Sequence, residues 1–528
     1  MLFHTWVFFI FFAVVYAVYL PLRKNNAAMN LWLVIASYFF YGWRRPHYLL
    51  LFFGTSAIFG GAAFVRGEVT AYPSPIGLDA SPDYRVRVDN KDIFVLKSPA
   101  FSMATFAFTG EAEVVVDVQH QIKNVVIRPL ALGIKATVDE NKLRFRISRP
   151  CHLAIEVDDD LRRPLFLFAN APDVSAPRQD DPGVHYFEGG RIHDVGKIEL
   201  KDNETLYLAG GAVVRGMIRA NHVSGIRILG PGILDASTRS KQTELVTMTD
   251  CRNVEINGPI VLGSHGWSIV PRLSENIRLY NVKVVSWRDN DDGFDPDSSR
   301  HVTVENCFFR TKDDCIAVKA HSHFENEGKN TGDNPDSFNT EDVLVTKSTF
   351  WSSDAGHALT VGFAVSAPVV RNVVFRDCDI IKKEKGWAMS IDNHDLGSVE
   401  NVRFENIHVE DGCDKLLAVK VAFSEYSADC PFEYFRNNPA RKEPKGDAWQ
   451  QVLREKRSSA RGTVRNVLFK DIKIGGERLP GSDIVGFSPH NDVSDVVFEN
   501  LTFQGKILDS PDAANLRIQN AANVRFEK

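Results

Sequence analysis

Between residues 84 and 170, short runs such as YRVRV, EVVVDV, KLRFRIS and HLAIEV alternate apolar and polar positions. Turn residues separate them, among them Asp89-Asn90 and Asp139-Glu140-Asn141. A period of two predicts strands with one buried face, and helical periodicity is absent. The spacing predicts a β-sandwich over residues 66–182. Beyond it the chain repeats itself: SGIRILGPG, RNVEINGPI, ENIRLYNVK, RHVTVENCF, EDVLVTKST, RNVVFRDCD, ENVRFENIH, RNVLFKDIK, SDVVFENLT and ANVRFEK are one motif. Aligning the first apolar residue of each gives Ile226, Val254, Ile277, Val302, Val343, Val373, Val402, Val467, Val496 and Val524. The steps between them are 28, 23, 25, 41, 30, 29, 65, 29 and 28 residues. A repeat of this length with one short strand pattern per copy predicts a solenoid. No leucine-rich consensus or helical half-repeat occurs, which selects a right-handed parallel β-helix over residues 183–528. The long steps mark inserted loops near 320–341 and 424–463. The second loop carries AWQQVLREKRSS, a short helical pattern.

The first 65 residues are of another kind. MLFHTWVFFIFFAVVYAVYL has no acid or base besides His4, and a helix needs about 20 apolar residues to cross a bilayer. NLWLVIASYFFYGW and YLLLFFGTSAIFGGAAFV follow, with Arg23-Lys24 after the first run and Arg44-Arg45 before the last. With both basic clusters inside, the chain after Val65 faces outside the cytoplasm. Residues 1–65 are therefore expected to be a helical membrane anchor. LFHTWVFFIFF and NLWLVIASYFFYGW resemble the amino terminus of membrane-bound O-acyltransferases of the alginate O-acetyltransferase type. The resemblance covers about one eighth of the chain and lacks that family's catalytic histidine helix, so it implies no acyl transfer.

Composition narrows the partners. Lys+Arg number 62 against 67 Asp+Glu in 528 residues, so no general attraction to nucleic acid is implied. The seven cysteines show no zinc-ligand spacing, and one disulfide pair remains open for an exported chain. No metal or cofactor is expected.

The chemistry lies in the central coils. Equivalent residues on successive coils of a β-helix stack about 4.8 Å apart. NDDGFDPDSS (290–299) and RTKDDCIAVKA (310–320) set Asp292 and Asp313 21 residues apart, close to one coil, with Asp314 adjoining. SSDAGHALTVG carries His357 on the next coil. Three acids and a histidine on one patch suit hydrolysis of a glycosidic bond. One protonated carboxyl serves the leaving oxygen, and ionised ones activate water. Crowded negative charge raises the pKa of at least one of them. Capped turns between coils are the alternative explanation of the acids. Trp267 and Trp387, near strand ends, suit either stacking on sugar rings or sealing of the solenoid.

NDDGFDPDSSRHVTVENCFFRTKDDCIAVK resembles the signature of glycoside hydrolase family 28, the polygalacturonase family, as does GPGILDAS at 230–237. The similarity extends over roughly residues 185–528. It implies an inverting, metal-free hydrolase with Asp313 as general acid. Asp292 and Asp314 would hold and deprotonate the water, with His357 hydrogen-bonded within the site. Lys319 falls on the family's lysine and is a substrate-binding or ion-pairing candidate. The chain departs from the signature at Asp291, where the family has threonine, at Lys312, where it has glycine, and at Ala358. Ala388 and Ser390 are expected where the family's uronate-gripping Arg and Lys stand, so an acidic sugar there would lack its partners. Asp392 and His394 would then meet sugar hydroxyls.

The resemblance thus implies an exported or membrane-anchored glycosidase acting on a pectic or related polysaccharide or oligosaccharide. Two other functions fit the fold. A polysaccharide lyase would need a base beside a uronate, and a non-catalytic glycan-binding β-helix would have no need of the acid triad.

Overall fold

The residue before each aligned apolar position is a corner. Asn253, Asn276, His301, Asp342, Asn372, Asn401, Asn466, Asp495 and Asn523 all have φ between 53° and 58°. Short polar side chains tolerate this left-handed conformation far better than branched apolar ones. Many corner amides then bond from coil to coil, Asn276 to Asn253 at 3.1 Å, Asn401 to Asn372 at 3.2 Å and Asn466 to Asn401 at 3.3 Å. The computed structural model describes residues 15–16, 32, 67–322, 339–411, 413–424, 426–430, 446–458, 461–488 and 492–527.

From Val184–Phe187 to Ala521–Glu527 the chain winds as a parallel β-helix in which each coil pairs with the next. The aligned residues are register partners throughout: Val254 with Ile277, Ile277 with Val302, Val302 with Val343, Val343 with Val373. Val373 with Val402, Val402 with Val467, Val467 with Val496 and Val496 with Val524 continue the column. Two positions on, Phe375, Phe404, Phe469, Phe498 and Phe526 stack inside the solenoid with ring centroids 4.7–5.2 Å apart. Parallel in-register stacking turns one alternating motif into one continuous apolar core.

Two sheets precede the solenoid. One holds six strands, among them Ser102–Phe108, Cys151–Val157 and Leu165–Asn170; the other holds five, among them Tyr84–Val88, Ala112–Val118 and Lys142–Ile147. Val86, Val114, Phe106, Leu143, Ile155 and Leu167 pack between them. The strand Leu165–Asn170 is buried along its whole length because its second face meets the solenoid. There Phe101, Phe166 and Phe168 pack with Phe308, Trp351 and Ile381. Lys283 Nζ reaches across to Asn170 Oδ1 at 2.7 Å, and Arg128 joins Glu156 at 2.6 Å to Glu410 at 2.8 Å.

The insertion after residue 424 contains the helix Asp447–Arg457. All seven cysteines are free. The apolar runs of residues 1–65 fall, save for residues 15–16 and 32, outside the described residues. Among the described residues no helix is long and apolar enough to cross a membrane.

Candidate active site

Asp292 and the Asp313-Asp314 pair lie on consecutive coils, locked together through backbone. Gly293 N–H donates to Asp314 O at 2.8 Å, and a Cβ at Gly293 would stand 2.5 Å from Cys315 O. Glycine is therefore required where the two coils touch. One oxygen from each of Asp292, Asp313 and Asp314 falls within 4.8 Å of the others. Asp292 and Asp314 are buried, while Asp313 is partly open.

Lys319, on the strand Ile316–Ala320, supplies the countercharge. Its ammonium lies 2.9 Å from Asp292 Oδ2 and 3.4 Å from Asp295 Oδ1. It also lies 3.5 Å from the centroid of the Trp267 ring, so that face of Trp267 carries a cation. Burial alone would lower the Lys319 pKa, but Asp292, Asp295 and Asp314 hold it above its ordinary value. The acids respond in the opposite sense. Burial, then the charge of Asp292, pushes Asp313 up to about 6. Burial, Asp292 and Asp313 raise Asp314 well above the usual carboxylate range. Burial and like charge together favour the protonated forms of Asp313 and Asp314.

Asp291 fixes the pair in place. Its Oδ1 accepts the N–H groups of Lys312 at 2.8 Å and Asp313 at 2.9 Å, and its Oδ2 accepts that of Arg288 at 2.9 Å. It is fully buried, and burial raises its pKa to about 7. Sequence reasoning registered Asp291 only as a departure from threonine; two of its three amide bonds cross to the next coil, a contact that spacing does not reveal. Asp295, against Lys319, was likewise missed.

His357 comes from the following coil. Its backbone N–H donates to Asp314 Oδ1 at 2.5 Å, and its Nδ1 accepts the Trp387 N–H at 3.3 Å. With Nδ1 an acceptor, the neutral ring carries its proton on Nε2, 3.7 Å from Asp392 Oδ2. Burial lowers the ring's pKa to about 4, so it is neutral at physiological pH. Gly356 lets this coil close: a Cβ there would stand 2.4 Å from Asp314 N and 2.5 Å from Asp313 Oδ1. The preceding turn is pinned by Lys383, whose ammonium donates to Ser352 Oγ and to the carbonyls of Ser353 and Ala355, each at 3.0 Å.

The next coil corrects one expectation. Ala388 does not face the groove; it is fully buried in the solenoid core beside Met389. Gly386, with φ of 95°, precedes Trp387, and Ala388 and Met389 both lie in the core, so the alternation restarts one position later. The outward positions are Ser390, whose hydroxyl meets that of Thr360 at 2.5 Å, and Asp392. Asp392 is almost wholly buried, and its Oδ2 has no hydrogen-bond partner among the described residues. His394 lies beyond, its Nε2 4.0 Å from Asp392 Oδ1 and its ring 4.6 Å from that of Phe363. Trp387 borders His357 through the bond already described. Of the residues anticipated from the sequence, Asp292, Asp313, Asp314, Lys319 and His357 come together, Asp392 and His394 follow on the next coil, Trp267 meets Lys319, and Trp387 meets His357 through its backbone N–H. A cluster of buried, coupled acids beside one ammonium and a neutral imidazole can both donate and accept protons.

The computed fold is similar to that of Dex49A from Penicillium minioluteum, with a TM-score of 0.60 over 86% of this chain and 96% of that one at 13% identity. In sequence, a "Probable endopolygalacturonase D" of Aspergillus oryzae is 25% identical over 42% of this chain and 35% of its own length. A "Probable endo-xylogalacturonan hydrolase A" of Aspergillus fumigatus is 24% identical over 40% of this chain and 54% of its own. The chain therefore spans about a third to a half of the curated relatives it matches. Residues 217–424, the segment that holds Asp292, Asp313, Asp314, Lys319, His357 and Asp392, match the family model of glycosyl hydrolases family 28.

Proposed function

We propose that this chain is a glycoside hydrolase that cleaves a glycosidic bond in a pectic or related polysaccharide or oligosaccharide by direct displacement with water. The convergence of Asp292, Asp313 and Asp314 within 4.8 Å carries the proposal. The family match over residues 217–424 and the two relatives, named "Probable endopolygalacturonase D" and "Probable endo-xylogalacturonan hydrolase A", support the substrate class.

Asp313 is the general acid. It is the most open of the three, and its pKa of about 6 keeps a proton available near neutrality. Asp292 is the general base, its charge compensated by Lys319 at 2.9 Å. Asp314 holds the attacking water with it. His357 keeps the Asp314 loop in place through its backbone N–H and presents an Nε2–H to the groove. Asp392 and His394 accept sugar hydroxyls, and Trp267 and Trp387 wall the cleft. We infer that a polymeric pectic substrate is met outside the cytoplasm, in keeping with an exported catalytic domain.

A single displacement inverts the anomeric centre. One observation favours the other outcome: inverting pairs usually stand about 6.5–9.5 Å apart, and retaining pairs about 5 Å, whereas these oxygens all lie within 4.8 Å. A water clamped by Asp292 and Asp314 together accounts for the crowding without a covalent intermediate. The test is proton NMR of the first-formed product from polygalacturonan and neutral pectic side chains. Initial appearance of the anomer opposite to the substrate's supports direct displacement; the same anomer points to a glycosyl-enzyme. Failure to cleave any glycan in such a panel sinks the proposal.

A further inference from the structure

The groove position after Asp392 is taken by a lysine. Asp392 pairs in register with Lys420 on the next coil, so Lys420 occupies the same ladder one strand spacing further on. Its ammonium lies 4.2 Å from the centroid of the Trp387 ring, and that of Lys415 lies 5.0 Å from the same centroid. One indole thus carries two cations, and Trp387 itself is bonded to His357 of the proposed site. The Lys420 charge reaches the rings of His357 and His394, where it adds to the effect of burial in keeping both neutral.

These cations are poorly compensated. Among the described residues the carboxylate within ion-pair reach of Lys420 is that of Asp483, its Oδ2 at 3.9 Å, and both oxygens of Asp483 are already bridged by Arg517 at 2.9 and 3.1 Å. Lys415 is exposed and has no carboxylate within ion-pair reach among the described residues; the neighbouring Asp414 accepts the Gly386 N–H instead at 3.2 Å. The lysines nearer the acids differ: Lys319 and Lys312 each have a carboxylate within 2.9 Å, and Lys383 is fully bonded to the Ser352–Ala355 turn. Beside Trp387 a cavity of about 480 Å³ opens, lined by Lys415, Ser482, Asp483, Asn515 and Arg517. It has room for a sugar ring; Ser482 and Asn515 offer hydroxyl and amide groups, Lys415 and Arg517 cationic ones, and Asp483 and Asp512 carboxylates.

We propose that Lys415 and Lys420, held on the Trp387 indole, form an anion-binding subsite that takes the carboxylate of a uronic acid one coil beyond the catalytic acids. The inference rests on the cleft binding a glycan as described above, and it names that glycan's charge pattern. Asp392, with its unpartnered oxygen, repels a carboxylate and favours a sugar presenting hydroxyls. The next position attracts a carboxylate. A substrate with an uncharged sugar against Asp392 and a uronate beside it satisfies both.

The experiment is calorimetric titration of the full chain carrying Asp313→Asn, which slows turnover at least a hundredfold, with a tetrasaccharide that alternates uncharged sugars and galacturonate and with its full methyl ester. Lys415→Met and Lys420→Met together are expected to weaken the acidic probe roughly tenfold while leaving the ester within about twofold. The salt dependence of acid binding should fall at the same time. Lys420→Arg, which keeps the charge, should retain most of the affinity and controls for misfolding. An ester that never binds supports the subsite equally, since only the carboxylate form is then held. Equal losses for acid and ester, no loss for either, or no binding of the acid by the parent overturns it. Turnover is read separately on the chain with Asp313 intact. Lysine-dependent binding without cleavage of any glycan would overturn the proposed function and leave the subsite standing. Cleavage with lysine-independent binding would do the reverse.

Discussion

The Lys319 ammonium lies 2.9 Å from Asp292 Oδ2, both groups being almost wholly buried. Removing the cation leaves Asp292 and Asp295 side by side without a countercharge. Lys319→Met is expected to cost roughly 3 kcal/mol of stability, the usual effect of breaking a buried pair from one side. Loss of a nearby cation also favours protonated carboxylates. The acid limb of the kcat/KM profile should therefore move to higher pH, which a pH–rate series on the variant measures.

The proposed acid sets the other limb. Asp313 must be protonated to act, and its pKa is about 6. Activity should fall above that pH, approaching tenfold per unit as the protonated fraction declines. His357, with a pKa of about 4, should contribute no limb between pH 5 and 8, and NMR of its ring should show the neutral Nε2–H form across that range.

Asp291 links the site to global stability. Its carboxyl moves from an ordinary 3.8 to about 7 in the folded chain. Between those values the unfolded chain has released a proton that the folded chain keeps. Stability therefore falls as pH rises from about 4 to 7. Asp291→Asn should flatten that slope in denaturant titrations across the window. Asp291→Ala, which orphans the N–H groups of Arg288, Lys312 and Asp313, should cost of the order of 3 kcal/mol and lower kcat more than it raises KM.

Gly356 is a packing requirement at the reacting groups. A methyl there would stand 2.4 Å from Asp314 N, and the residue's φ of 54° adds strain for any side chain. Gly356→Ala is expected to lower kcat by about a hundredfold with a smaller change in melting temperature, as measured by steady-state kinetics beside thermal unfolding.

The solenoid is legible because its repeat writes each coil's corner and core together: an Asn or Asp in the left-handed region, then the apolar residue that becomes a register partner of the next copy. Val254 to Val524 could be aligned by eye and pair as aligned. The acids are legible for the same reason, since one coil of separation places Asp292 beside Asp313. What the sequence hides is contact that repeats do not encode. Asp291 grips amides on the coil above, and Asp295 shares Lys319 with Asp292. Ala388 and Met389 both lie in the core, so counting every second residue misplaces Ala388 into the groove. Lys420 becomes a groove residue only once Asp392 is known to be its register partner.

The central claim is hydrolysis by the Asp292–Asp313–Asp314 cluster. The most direct measurement is cleavage of pectic glycans by the full chain in oxygen-18 water, with mass analysis of the products and Asp313→Asn as the paired variant. The account predicts one solvent oxygen at each new reducing end and at least a hundredfold slower turnover in the variant. Unsaturated products without solvent oxygen, or unchanged turnover with Asp313→Asn, would contradict it.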